Sequence, residues 1–129
     1  SVEEKEQVRE QIQFYKKYRS LFQYGDFYRI NSPFSCDSAS WQVVSKNKCQ
    51  SILLYAQLNS KLNPGYTRVY FSGLDKDKCY SVSGFDEFFY GDELMNAGIK
   101  VSLSNLALCV PEYLTKLFVI EEVVCKLCK

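Results

Sequence analysis

The hydrophobic period of this chain changes once, at Gly25. Before that glycine, Val8, Ile12, Tyr15 and the pair Leu21-Phe22 recur at helical spacing, with Tyr18 between the last two. Residues three, four and seven apart lie on one face of an α-helix. Glu3, Glu4, Lys5, Glu6, Arg9, Glu10, Lys16 and Lys17 occupy the remaining faces. The pattern therefore predicts an amphipathic helix of about five turns over residues 1–24. Acidic side chains crowd its start and basic ones its end, as the helix dipole favours, and Gly25 supplies a stop. An apolar stripe needs a surface to cover. Either the rest of the chain provides it, or a neighbouring domain does.

After Gly25 the period shortens to that of strands. Phe27-Tyr28-Arg29-Ile30, Trp41-Gln42-Val43-Val44-Ser45, a longer run over residues 50–58, residues 67–71, residues 79–82 and a final run over residues 116–124 each read as β. On the 50–58 run, Ile52, Leu54, Ala56 and Leu58 share one face. Turn signals separate these runs: Asn31-Ser32-Pro33, Lys46-Asn47-Lys48, Asn63-Pro64-Gly65, Ser72-Gly73 and the polar loop over residues 74–78. Such turns are built from residues that preset or tolerate unusual backbone angles. An aromatic content of 16% also favours strands. Seven or so short strands at this spacing predict an all-β fold: an antiparallel Greek-key β-sandwich over residues 25–129, preceded by the one helix. Residues 91–98 carry glycine at both ends and fit either a short turn of helix or a bulge.

The residue types present exclude several chemistries. Histidine is absent, which removes Ser-His and Cys-His nucleophile pairs and every His-containing metal site. Sixteen basic and fifteen acidic residues give a net charge of +1, too balanced to steer nucleic acid or an anionic membrane. No apolar run is long enough to span a bilayer, and the first residues lack the apolar core of a signal peptide. No glycine-rich phosphate loop is present, so no cofactor is implied. Cys36, Cys49, Cys79, Cys109, Cys125 and Cys128 are irregularly spaced and read as thiols in a reducing compartment, the cytoplasm. Cys125-Lys126-Leu127-Cys128 has the CxxC spacing but lacks the second ligand pair that structural zinc requires.

Two residue classes could still carry function. Asp26, Asp37, Asp75, Asp77, Asp86, Asp92 and Glu93 are the carboxylates from which an acid–base pair would have to come. Most fall in turns, where solvation or local capping accounts for them. Trp41 and the Phe88-Phe89-Tyr90 cluster could stack on a sugar ring, or serve core or interface packing.

Three segments carry a resemblance. Ile12-Gln13-Phe14-Tyr15-Lys16-Lys17-Tyr18-Arg19-Ser20-Leu21 runs into Gly25-Asp26-Phe27-Tyr28-Arg29-Ile30; then come Ser72-Gly73-Leu74-Asp75 and Tyr90-Gly91-Asp92-Glu93-Leu94-Met95-Asn96-Ala97-Gly98-Ile99. In this order, with Trp41-Gln42-Val43-Val44-Ser45 between them, they resemble the C-terminal end of bacterial α-galactosidases of glycoside hydrolase family 36. The resemblance covers residues 8–123. It implies a parent with an N-terminal β-supersandwich, a central (β/α)8 barrel and a C-terminal β-sandwich, acting on terminal α-galactosides of the raffinose or melibiose type with retention. The helix would be the last helix of that barrel. The family's two catalytic aspartates would lie upstream, so the resemblance assigns no catalytic, cofactor or metal residue to this chain. The implied partners are the barrel and possible further copies in an oligomer, with no nucleic acid and no membrane. The chain departs from the pattern at residues 101–111 and 124–129.

Overall fold

In a computed structural model, the described residues are 1–35, 38–58, 66–102 and 114–123. Helix α1 (Val2–Tyr24) begins with Ser1 as its cap, whose hydroxyl accepts from the Glu4 N–H at 3.2 Å. The strands are β1 (Asp26–Asn31), β2 (Ser38–Val44), β3 (Gln50–Gln57), β4 (Tyr66–Val69), β5 (Cys79–Val82), β6 (Phe88–Tyr90), β7 (Ile99–Ser102) and β8 (Leu114–Glu122). A second short helix, α2 (Gly91–Asn96), lies between β6 and β7. Residues 91–98 thus resolve as helix rather than bulge.

Six strands form an antiparallel sheet in the order β1-β2-β3-β8-β5-β6, and β4 pairs with β7 in a second, two-stranded sheet. The last strand returns to lie between β3 and β5, so the chain crosses between layers instead of meandering. This is the antiparallel β-sandwich expected from the strand spacing. β6 and β7 are additions to the expected set. β7 takes Val101 and Ser102 out of the stretch that departs from the family pattern and pairs them with Thr67 and Tyr66. The turn at Asn63-Pro64-Gly65 lies outside the described residues, as do residues 103–113 and 124–129 with Cys125 and Cys128.

The main core sits between the two sheets. Val44, Leu53, Tyr55, Tyr80, Val82, Phe118 and Ile120 of the large sheet meet Val69, Phe71, Leu74, Leu94 and Ile99 of the opposing layer. On β3 the core therefore takes Leu53 and Tyr55, the face opposite to Ile52, Leu54 and Ala56. Buried polar groups in this layer are matched. Gln42 donates to the Ser51 hydroxyl at 2.7 Å and accepts from the Ser72 N–H at 2.7 Å. Among the described residues, no buried side-chain nitrogen or oxygen lacks a partner.

The segments that carry the resemblance hold this sandwich together. Leu94 of α2 is fully buried, and its carbonyl accepts from the Phe71 N–H at 3.1 Å. A Cβ on Gly91 would stand 1.9 Å from the Asp75 carbonyl oxygen, so only glycine fits that approach. Gly98 ends α2 at φ 68°, in the left-handed region that glycine enters without strain. Asp75 accepts from the Asp77 N–H at 3.0 Å, the local turn expected of it.

Candidate docking surface

Helix α1 lies on the other face of the large sheet. Tyr18 and Leu21 are buried there against Ile52, with Phe14, Val43 and Val119 at the margin. The Tyr18 hydroxyl donates to Glu121 at 3.2 Å. The contact thus runs through Phe14, Tyr18 and Leu21 at the i, i+4, i+7 spacing of one helix face. The stripe foreseen from the sequence is covered by this sheet only in part: Val8, Ile12, Tyr15 and Phe22 are exposed, Tyr15 by 55%. Its Tyr18 and Leu21 members turn inward. The apolar sector of α1 is wider than a single sheet contact can cover, so its flank is left facing outward. Tyr15 and Phe22 stack on each other at 6.1 Å between centroids. The end of the helix differs too. Its last turn holds no basic residue, and the Gly25 N–H instead bonds the Leu21 carbonyl at 2.9 Å, with Gly25 extended rather than left-handed.

Strand register places the aromatic candidates. Successive residues of a strand alternate between faces, and directly paired residues share one. Arg29 pairs with Trp41, Trp41 with Leu54, and Leu54 with Leu117, which makes one row across β1, β2, β3 and β8. The same face carries Val43, Ile52 and Val119, where the helix lies. Trp41 is 37% exposed and Leu117 44%; Phe27, two residues before Arg29, is exposed beside them. Phe27, Arg29, Asn31, Pro33, Phe34, Ala39 and Trp41 line a hollow of about 330 Å³. Ser81 pairs with both Phe88 and Glu121, so Phe88 and Tyr90 stand on the helix-bearing face as well, at its far edge. Phe89 points the other way and packs on the main core, edge-on to Phe85 at 6.0 Å.

The helix-bearing side therefore has two uncovered apolar features, the outer flank of α1 and the row beside it. Exposed apolar side chains gathered on one face make it a candidate docking surface. The charged groups are local by comparison. Asp26 pairs with Lys46. The Asp92 carboxylate accepts from the Glu93 N–H at 2.9 Å, within the first turn of α2. Asp77, Asp86, Asp92 and Glu93 are exposed, and Asp37 lies outside the described residues. No His/Cys/Asp/Glu cluster fit for a metal occurs among the described residues, and no described helix is long and apolar enough to cross a membrane.

One polar cluster was not legible in the sequence. The Cys49 thiol donates to Glu122 Oε2 at 2.8 Å, and Lys78 Nζ lies 3.4 Å from the same oxygen and 3.6 Å from the sulfur. Lys78 also donates to the Asn47 carbonyl at 2.9 Å. Hydrogen bonding to Glu122 raises the Cys49 pKa, aided by burial and by the carboxylate charge. The same bond, with the Lys78 ammonium, holds Glu122 below the usual carboxylate range. Partial burial pulls Lys78 downward, but Cys49 and Glu122 outweigh it and raise its pKa.

The architecture is an antiparallel β-sandwich with a single helix laid on the outer face of its larger sheet. Residues 38–120 match the model of the glycosyl hydrolase family 36 C-terminal domain, and the chain belongs to that family. It is 35% identical over 96 residues to the α-galactosidase AgaA of Geobacillus stearothermophilus, covering 74% of this chain and 13% of that protein. Against the α-galactosidase Mel36A of Lactobacillus acidophilus it is 37% identical, covering 76% and 13%. The crystal structure of the α-galactosidase from Lactobacillus brevis superposes on 97% of the chain with a TM-score of 0.87 and 41% identity. That match takes in 17% of the Lactobacillus brevis chain. The chain thus spans less than one fifth of the length of these relatives.

Proposed function

We propose that this chain is the non-catalytic C-terminal β-sandwich of an α-galactosidase that hydrolyses terminal α-galactosides of the raffinose or melibiose type with retention. Its work is to pack against the catalytic (β/α)8 barrel, or between subunits, through the helix-bearing face. The observation that carries this reading is the exposure of Val8, Ile12, Tyr15 and Phe22 beside the Trp41–Leu54–Leu117 row, all on the side where α1 lies. If α1 is the last helix of that barrel, the rest of the barrel meets the same side. The carboxylates support a structural role as well, since Asp26, Asp75 and Asp92 are used in an ion pair and local turns. Hydrolysis of an aryl α-galactoside by the purified chain tests the reading. No turnover is expected. Turnover that disappears when one of these carboxylates is neutralised would contradict it.

A second reading rests on the hollow beside Trp41, where Phe27, Phe34 and Arg29 surround an exposed indole in the manner of a sugar-stacking site. Titration with galactose or raffinose, followed by tryptophan fluorescence, separates the two. A saturable change supports sugar binding, and a flat response supports docking.

A further inference from the structure

Cys49, Lys78 and Glu122 meet although they are far apart in sequence. Cys49 precedes β3, Lys78 precedes β5, and Glu122 ends β8, the strand between those two. The cluster is half-buried: the Lys78 and Glu122 side chains retain 27% and 29% exposure. Lys78 is held from two sides, by the Asn47 carbonyl and by Glu122 Oε2, and this fixes Nζ 3.6 Å from Cys49 Sγ. A thiol and an amine in van der Waals contact, with a carboxylate touching both, have the geometry for an oxidative crosslink. The sulfur supplies one nucleophile and the deprotonated amine a second, while Glu122 Oε2, hydrogen-bonded to both, holds them together.

We propose that Cys49 and Lys78 are a modification site, joined under oxidising conditions through a single oxygen as Sγ–O–Nζ. The reacting form is Lys78 that has lost one proton to solvent. The S–H bond and one N–H bond then break while S–O and O–N bonds form. Dioxygen is the oxidant: two electrons leave sulfur and two leave nitrogen, one oxygen atom becomes the bridge, and the other departs as water with the two hydrogens released. Thiol reductants reverse the step, returning thiol, amine and water. The bridge would tie together the two strands that flank β8, across a separation of 29 residues. Cross-links that close such loops restrict the unfolded chain, so the oxidised protein melts higher than the reduced one.

The protein is incubated in aerated buffer, denatured without reductant, and its peptides are mapped by mass spectrometry. The expected product links the Cys49 and Lys78 peptides with the gain of one oxygen and the loss of two hydrogens. It is abolished by Cys49→Ser or Lys78→Gln, slowed several-fold by Glu122→Gln, and reversed by dithiothreitol with the melting temperature falling back. Oxygen added to Cys49 alone overturns the proposal. A direct S–N bond, a disulfide from Cys49 to another cysteine, or an unmodified pair after full aeration does so equally. Because the wild-type protein itself gives the answer, a variant that folds poorly leaves the test intact.

Discussion

Two leucines of the same size should respond very differently to truncation. Leu94 is fully buried between the sheets, whereas Leu117 keeps 44% of its surface exposed on the helix-bearing face. Leu94→Ala removes buried methyl groups and leaves a cavity that the sandwich closes only in part, which costs about 2–5 kcal/mol. Leu117→Ala leaves no enclosed cavity. Full burial of a leucine side chain is worth about 1.5–3 kcal/mol. Because Leu117 reaches only about half of that burial, its truncation costs roughly 1 kcal/mol. In thermal unfolding followed by circular dichroism, Leu94→Ala should lower the midpoint by about 10 °C or more, and Leu117→Ala by only a few degrees. Attached to the upstream polypeptide, Leu117→Ala should cost more than it does in the chain alone, since the proposed docking would complete its burial. Equal losses for the two variants in the chain alone would refute the division into interior and docking face.

Other consequences are as direct. Gln42→Ala strands the Ser72 N–H in the core and removes the donor to Ser51, and urea titration should show a loss of about 1–3 kcal/mol. Gly91→Ala drives a methyl group into the Asp75 carbonyl; overpacking of this kind costs about 1–3 kcal/mol, and the melting temperature should fall accordingly. The folded-state pKa of Glu122 is depressed. The unfolded chain therefore binds its proton at a higher pH than the native one. The stability Glu122 contributes is fully present above the ordinary carboxylate range and is lost as pH falls through that range to the lower folded value. Acid-unfolding curves of Glu122→Gln should be flatter in that window; an unchanged slope would contradict the assignment.

Much of the fold was legible because local chemistry and tertiary packing agree. The change of period at Gly25 marks the true end of α1 and the start of β1 at Asp26. β5 occupies residues 79–82, the run read as β between polar turns. β7 was missed although Ile99-Lys100-Val101-Ser102 alternates apolar and polar, because four residues are too short a run to stand out until they are seen paired with β4. The motifs that carry the family resemblance proved to be packing devices: Gly91, Leu94 and Gly98 join loops to sheets. The aromatic candidates were each visible in the sequence, but their common surface was not. It takes the pairing of Trp41 with Leu54 and of Phe88 with Ser81 to place them on the face that α1 occupies. The helix stripe was legible as apolar, but how it divides between the sheet and the outside was not. One flank meets the sheet through Tyr18 and Leu21, and the other is left over. The Cys49–Lys78–Glu122 cluster is joined only by the antiparallel sheet, so no spacing in the sequence announces it.

The central claim is that the helix-bearing face is covered in the parent polypeptide. Hydroxyl-radical footprinting of Tyr15, Trp41 and Leu117 tests it most directly, comparing the chain alone with the same chain attached to its upstream sequence. The account predicts strong labelling of all three in the chain alone and marked protection when the upstream domain is present. Equal labelling in both would contradict it.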